Sequence, residues 1–403
     1  GTLSTITGYI NYKGDLGFDN DQAPGPAGFS SLLDRSEMFS QEINFASKKF
    51  GAFSFVTGLY FYKDDSGRDQ PISASFGATP FLRTVSSVKT TAYAGYAEAN
   101  FDISDKLHAI AGLRYSHEEK IGRGRRVVGA GAPVNLEDSW NALTPRFALR
   151  YEVTDRSNVY ASYSKGFKSG VFNVAGLQAQ PVNPENINAY EIGFKTSDRG
   201  FRFNTSFFYY KYQDIQVQSQ LSTTTLVFQN AAAATIYGAD FDVSADLSDE
   251  FTISAGAAYT HGRYDKFPGA LTTAKNPTTG QVSIIGYLDQ SGKATVRTPE
   301  FSGNISATYT KETSSGKLGL TSTYSYIDKY FIGPDNRAFV PGNSQLSAEA
   351  SWTTKDDRWR FAIWGKNLTN EARLLFLTTG AQGDLAIYDL PRTYGLSVGF
   401  NFK

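Results

Sequence analysis

Along most of this chain apolar and polar residues alternate with a period of two. In Tyr394–Phe402 the apolar positions are Tyr394, Leu396, Val398, Phe400 and Phe402, with Gly395, Ser397, Gly399 and Asn401 between them. Successive side chains of a strand point to opposite faces, so the pattern gives one greasy face and one small or polar face. The same alternation runs through Phe53, Phe55, Leu59 and Phe61, through Leu107, Ala109, Ala111, Leu113 and Tyr115, and through Phe147, Leu149 and Tyr151. It returns in Phe301, Ile305, Ala307 and Tyr309, then in Trp359, Phe361 and Ile363. The pattern predicts about 16 strands, each long enough to cross a bilayer at a tilt. They begin near residues 2, 36, 51, 88, 106, 140, 157, 186, 201, 232, 251, 299, 317, 343, 357 and 391.

The connections alternate between short and long. Short polar turns rich in Asp, Ser, Gly and Lys fall at 47–51, 102–106, 154–157, 197–200, 248–250, 313–317 and 355–357, as tight hairpins require. Long linkers fall at 14–35, 64–86, 119–138, 167–185, 213–230, 263–297, 329–342 and 370–390. Sorting of this kind matches a transmembrane barrel, with short turns periplasmic and long loops extracellular.

The two strand faces give a second test. The parity opposite the greasy one carries Glu98, Arg114, Arg146, Arg150, Glu191, Lys195, Arg202, Asp240, Asp242, Glu349, Arg360 and Lys366. An Arg or Lys on the lipid face at the bilayer midplane costs roughly 2–4 kcal/mol, whereas a polar lumen accepts it. The expected fold is therefore all-β, an antiparallel transmembrane β-barrel. Phe53, Phe55, Leu59, Phe147, Leu149, Phe301, Ile305, Trp359, Phe361, Leu396, Val398 and Phe400 are expected to face lipid.

Composition narrows the function classes. Tyr (24) and Phe (30) bring aromatics to 14% while Met occurs once, a balance of strands and interfaces rather than helical cores. No run approaches the ~18 apolar residues of a transmembrane helix. Lys plus Arg and Asp plus Glu number 39 each, so no net field points to nucleic acid. The absence of Cys and the scattering of His108, His117 and His261 exclude disulfide frameworks and thiolate or histidine-rich metal centres. No catalytic residue, metal site or cofactor is expected. The opening residues GTLSTITGYI carry no signal-peptide pattern and read as a strand interior, so the chain is expected to be the back portion of a longer precursor.

Four stretches carry a resemblance. PRTYGLSVGFNF (Pro391–Phe402), GKNLTN (Gly365–Asn370), TPRFALRYEVTDRSNVYASYSKGFKSGVFN (Thr144–Asn173) and ENINAYEIGFK (Glu185–Lys195) stand in the order and spacing of the TonB-dependent receptors, and the chain is similar to that family over its whole length. The resemblance implies the C-terminal portion of a barrel of about 22 strands in the bacterial outer membrane. Residues 1–403 would be wall and loops, with the plug domain and the TonB-contacting box in a missing N-terminal part. The implied function is import of a scarce nutrient such as an iron–siderophore complex. The implied partners are outer-membrane lipid and lipopolysaccharide, the plug, the TonB system and a small-molecule ligand. A passive porin, which also uses about 16 strands, and a structural barrel in a larger envelope complex are the alternatives.

Candidate ligand contacts lie in the long loops. Phe172, Tyr287, Arg297, Arg337, Phe339 and Arg373 are aromatic and cationic residues that neither lipid contact nor strand pairing requires. Rings and fixed cations suit a bulky anionic ligand, although packing of loop against loop is the commoner role for any one of them. Arg123, Arg125 and Arg126 form a basic run in another loop, suited to a solvated surface, to lipopolysaccharide phosphates or to an anionic ligand. Asp19 and Asp21 lack the glycine and distal glutamate of a calcium loop and read as an acidic turn. The lumenal charges are expected to pair across strands and with the plug.

Overall fold

The computed structural model describes residues 1–19, 28–222, 225–380 and 383–402. Sixteen strands form one antiparallel sheet in up-and-down order. They are β1 (Thr2–Asp19), β2 (Phe29–Ala46), β3 (Phe53–Ser73), β4 (Leu82–Asp102), β5 (Leu107–Val128), β6 (Val134–Thr154), β7 (Ser157–Lys168) and β8 (Glu185–Asp198). The wall continues with β9 (Phe201–Ser222), β10 (Thr225–Ser248), β11 (Phe251–Lys266), β14 (Phe301–Thr313), β15 (Gly316–Ile327), β18 (Asn343–Thr354), β19 (Trp359–Lys366) and β22 (Thr393–Phe400). Three two-stranded ribbons occupy the last three long connections: β12 (Ala270–Lys275) with β13 (Val282–Leu288), β16 (Tyr330–Phe331) with β17 (Phe339–Val340), and β20 (Leu374–Gly380) with β21 (Gly383–Tyr388).

The wall strands are the sixteen that the alternation predicts, with one systematic difference. Phe29, Leu82, Val134 and Thr225 begin strands where the alternation alone suggests residues 36, 88, 140 and 232. Much of the expected long loops 14–35, 64–86, 119–138 and 213–230 is continued hairpin. Above the membrane both faces meet water, so the ladder needs no greasy parity, and polar cross-strand pairs hold it instead. Arg68 grips Asp34 with two bonds of 2.7 and 2.8 Å, and Arg83 grips Asp69 with bonds of 2.9 and 2.5 Å.

Register separates the faces as the parity requires. On one face, Phe147, Tyr163, Tyr190, Tyr209, Tyr237 and His261 stand in a single row across β6–β11. Phe39, Phe61 and Tyr93 make a similar ladder on β2–β4, with centroids 6.1 and 5.2 Å apart. Such rows are the interfacial girdles of a membrane barrel. Ten of the twelve residues expected to face lipid are exposed, Leu396 reaching 80%. The other two, Phe53 and Phe55, are half-buried against one another and against Phe45 and Phe50. None lies in a packed interior. Exposure on this scale is a liability in water and is what lipid solvates.

Within the described residues β1 pairs only with β2 and β22 only with β19, which makes them the edges of the sheet. The sheet is curled, because ribbon strand β20, from beyond β19, touches β9. The apolar clusters lie where the loop ends of the wall strands meet the loops. One is Val217, Ala231, Ala234, Tyr264, Phe267 and Ala270; the other is Val134, Phe172 and Val174.

Candidate functional site

The polar parity makes the lumenal wall, and several of its charges are paired across strands. Glu98 on β4 and Arg146 on β6 flank Gly112 of β5 in register, and their 2.9 Å bond passes over that glycine. A Cβ on Gly112 would stand 3.2 Å from the Glu98 carboxylate. Arg114 lies 5.5 and 5.7 Å from the ring centres of Tyr60 and Tyr96. Tyr160 donates to Glu191 at 2.5 Å, with the Lys195 ammonium 5.2 Å from its ring. Arg360 pairs with Glu349. Ion pairs thus hold some of the inner-face charges at short range, while Arg114 and Lys366 rest on aromatic rings.

Above this wall a segment between β7 and β8, residues 169–184, folds inward as a shelf. Glycine makes the approach possible. Gly122 and Gly124 are on the lumenal parity of β5, where a Cβ would stand 2.6 Å from the Phe172 ring and 2.1 Å from the Val174 carbonyl oxygen. Lys120 is tied to Glu118 at 2.8 Å and donates to Ser169 and to the Gly170 carbonyl, both at 2.9 Å. Trp140 packs on Phe172, centroids 5.6 Å apart. At the far side Gln178 donates to the Phe228 carbonyl of β10 at 3.1 Å, so the shelf spans from β5 to β10.

The three ribbons meet at one guanidinium. Arg337 donates to Thr273 (2.8 Å), to Thr379 (2.9 Å) and to both oxygens of Asp384 (2.8 and 2.9 Å). Lys275 adds a 3.1 Å contact to Asp384, and Asp335 accepts from Thr273 at 2.6 and 3.0 Å. The Arg337 and Asp384 side chains are only 18% and 17% exposed. Burial alone would raise the Asp384 carboxyl. Arg337, Lys275 and Thr379 outweigh it and bring the group down to about 2.

The candidate ligand residues are distributed as follows. Tyr287 is exposed on β13, opposite Leu271. Arg297 is exposed, with a left-handed backbone (φ 54°) whose N–H donates to the Phe331 carbonyl at 2.8 Å. Phe339 is exposed and meets Phe331 edge-on at 6.2 Å. Through Phe331 and Thr273, these three and Arg337 gather on two neighbouring loops. Arg373 stands on the next loop, 3.3 Å from Gln345 and 3.6 Å from Asp389. Phe172 lies apart, 7% exposed within the shelf. The basic run divides: Arg123 and Arg125 are exposed, whereas Arg126 points to the lumenal parity and donates to Thr84 at 2.5 Å. Asp21 lies outside the described residues.

A wall of girdled, inverted polarity capped by converging loops has a match among known families. The family model described as "TonB dependent receptor-like, beta-barrel" matches residues 1–368. The chain belongs to this family.

TonB-dependent receptors reside in the outer membrane of Gram-negative bacteria, so that is the bilayer this wall faces. The chain is 25% identical over 175 residues to the ferric-pyoverdine BN7/BN8 receptor of Pseudomonas putida, covering 43% of this chain and 21% of that protein. It is 20% identical over 358 residues to the probable TonB-dependent siderophore receptor PiuA of Acinetobacter baumannii, covering 86% of this chain and 44% of PiuA. The chain thus spans less than half the length of these curated relatives. Among solved structures, the ferric yersiniabactin uptake receptor FyuA from Yersinia pestis superposes with a TM-score of 0.84 at 16% identity, over 100% of this chain and 59% of that one. At that identity the likeness concerns fold.

Sequence reasoning missed the acids and hydroxyls that surround Arg337 in this TonB-dependent receptor chain. Thr273, Thr379 and Asp384 lie on other loops, and nothing local marks them as its partners. The shelf left a legible signal. In Ile121-Gly-Arg-Gly-Arg125 a strand alternates glycine with arginine, which places the glycines on one face for a close approach and the cations on the other.

Proposed function

We propose that the protein is a TonB-dependent importer of a ferric siderophore, an anionic and partly aromatic chelate. The supporting observation is the loop crown, where Arg297 carries an exposed guanidinium with no hydrogen bond or ion pair among the described residues. Its backbone joins Phe331, which meets the exposed ring of Phe339, and the exposed ring of Tyr287 lies on the same loop as Arg297. The relatives named above are siderophore receptors, which favours this ligand class over other scarce nutrients. In this reading Arg337 and Phe172 hold the loops, Arg373 lines their base, and Arg297, Tyr287 and Phe339 touch the chelate. Residues 1–403 act as wall and crown. A plug elsewhere in the protein fills the lumen, and further strands pair with β1 and β22, since open edges in hydrocarbon leave backbone groups unsatisfied. The ligand crosses chemically unchanged, so no catalytic residue is assigned. Lumenal ion pairing and the crown speak against a passive porin.

The test is uptake of radioiron from a panel of ferric siderophores by iron-starved cells. Arg297→Ser with Tyr287→Ala and Phe339→Ala is expected to lower uptake of one chelate at least tenfold at equal surface abundance. Wild-type uptake should cease when the inner-membrane proton gradient is collapsed. Uptake that survives the collapse would establish a porin instead. Unchanged uptake in the triple variant would move the contact surface off this crown.

A further inference from the structure

The cations of β1–β5 fall into two populations. Those on the lumenal parity are partnered, as Arg126 is by Thr84 and Arg68 by Asp34. On the opposite parity, above the Phe39–Phe61–Tyr93 ladder, Lys13, Arg35, Lys63, Arg123 and Arg125 are exposed, and the described residues give none of them an ion pair or hydrogen bond. Register aligns three of them. Lys13, Arg35, Gly67, Ser87, Arg123 and Asn135 form one row across β1–β6, with Arg125 one pair further out. Gly67 keeps this row open, since a Cβ there would stand 2.8 Å from Nε of Arg35.

We propose that this face binds the phosphorylated saccharide headgroup of an outer-leaflet glycolipid. Three observations direct the choice. First, the side chains share the parity of the girdle and point away from the lumen, so an imported ligand inside the barrel cannot reach them. Second, the row lies six residues beyond Phe61, roughly 20 Å along the strand and about 15 Å above the girdle at the usual tilt, where lipid headgroups sit. Third, the charge is complementary. Of the acids on the same face, Glu37 is engaged by Tyr9, Asp65 by Lys89, Asp69 by Arg83 and Glu119 by His117, and Asp19 is engaged too, which leaves Asp15 and Glu137 against five cations. On the rest of the wall outward cations are fewer and do not cluster: Lys211 lies over the Tyr209 ring at 5.8 Å, Arg263 is held by Glu300 at 3.2 Å, and Lys165 is half-buried and stands alone on β7. Guanidinium forks match phosphate oxygens two at a time, and basic residues concentrate at anionic membrane surfaces for that reason. The proposal rests on the wall's being an outer-membrane barrel and not on which ligand it imports.

The experiment uses the intact protein extracted from outer membranes in mild detergent, with retained lipopolysaccharide counted per barrel by native mass spectrometry. Arg35→Ser, Arg123→Ser and Arg125→Ser together are expected to lower retention by roughly tenfold to a hundredfold. Heat-modifiable mobility in gels, which reports a folded barrel, should be unchanged, and Arg263→Ser should retain the wild-type amount. Should the triple variant not assemble, the wild-type protein decides: molar salt should strip the glycolipid, and a dephosphorylated glycolipid should not rebind. Equal retention by folded triple variant and wild type overturns the site, as does equal rebinding of the dephosphorylated form. Displacement by millimolar inorganic phosphate would make it a free-anion site and overturn the lipid assignment. Radioiron uptake scored in the same cells separates this outcome from the import reading.

Discussion

From β1 to β10 the long connections are mostly continuations of the wall, whereas from β11 to β22 they are separate ribbons. β9 and β10 run 22 and 24 residues, while β19 and β22 have 8 each. In the first region, structure above the membrane is held by the backbone ladder itself, which runs on through isolated register shifts such as those at Arg83 and Thr225. In the second it is held by side chains converging on Arg337 and Asp384. A ladder loses little when one link is cut, but a hub can lose everything at once. The second region is therefore the part of the crown whose arrangement depends on the fewest contacts.

The strongest way to break the comparison is at the hub. Arg337→Ala removes bonds to three partners and leaves Asp384 with Lys275 and Thr379, a loss of about 2–4 kcal/mol for the ribbon assembly. Hydrogen exchange should quicken across 270–288, 330–340 and 374–388 while the wall stays protected. Exchange confined to residues beside Arg337 would show that the ribbons hold themselves.

Acid should act on the same hub with a smaller effect. The Asp384 carboxyl sits at about 2 against an ordinary 3.8, so its contribution is present above about pH 4 and fades as pH falls toward 2. Exchange in the three ribbons is expected to rise through that window in the wild type, and Asp384→Asn should abolish the dependence. A pH response surviving in that variant would place the sensitive group elsewhere.

The smallest effect is expected in the ladder. Asp34→Ala cuts the bidentate pair with Arg68, but the pair is part-exposed and its strands remain bonded on both sides. A change of about 0.5–1 kcal/mol in unfolding free energy is expected, with exchange across 29–46 unaltered. Melting of the β2–β3 hairpin would erase the distinction between the two regions.

What the sequence disclosed follows the same division. Inside the membrane the solvent differs on the two sides of the sheet, and that difference is written as alternation, so wall strands such as β7, β11 and β18 start at the predicted residue. Outside it both sides are wet and the signal disappears, which is why Leu82 and Val134 opened strands inside what reads as loop. The site divides likewise. Arg297 and Phe339 are recognisable as residues without a wall role, but the difference between exposed Arg297 and saturated Arg337 depends on Thr273, Thr379 and Asp384, which no local pattern assigns to either. Phe172 could be recognised as loop-borne, yet only Gly122 and Trp140 reveal that it packs inward.

The glycine–arginine alternation of β5 has a consequence for how this region can diverge. Deleting one residue between Tyr115 and Gly122 would exchange the two sides for everything beyond it. Arg125 would then strike the shelf at Val174, and Gly124 would take the outward place of Arg123. Removing two residues shortens the hairpin and preserves its sidedness. Insertions and deletions here should therefore be tolerated in even numbers and rejected in odd ones, so that length variation in this hairpin steps by twos.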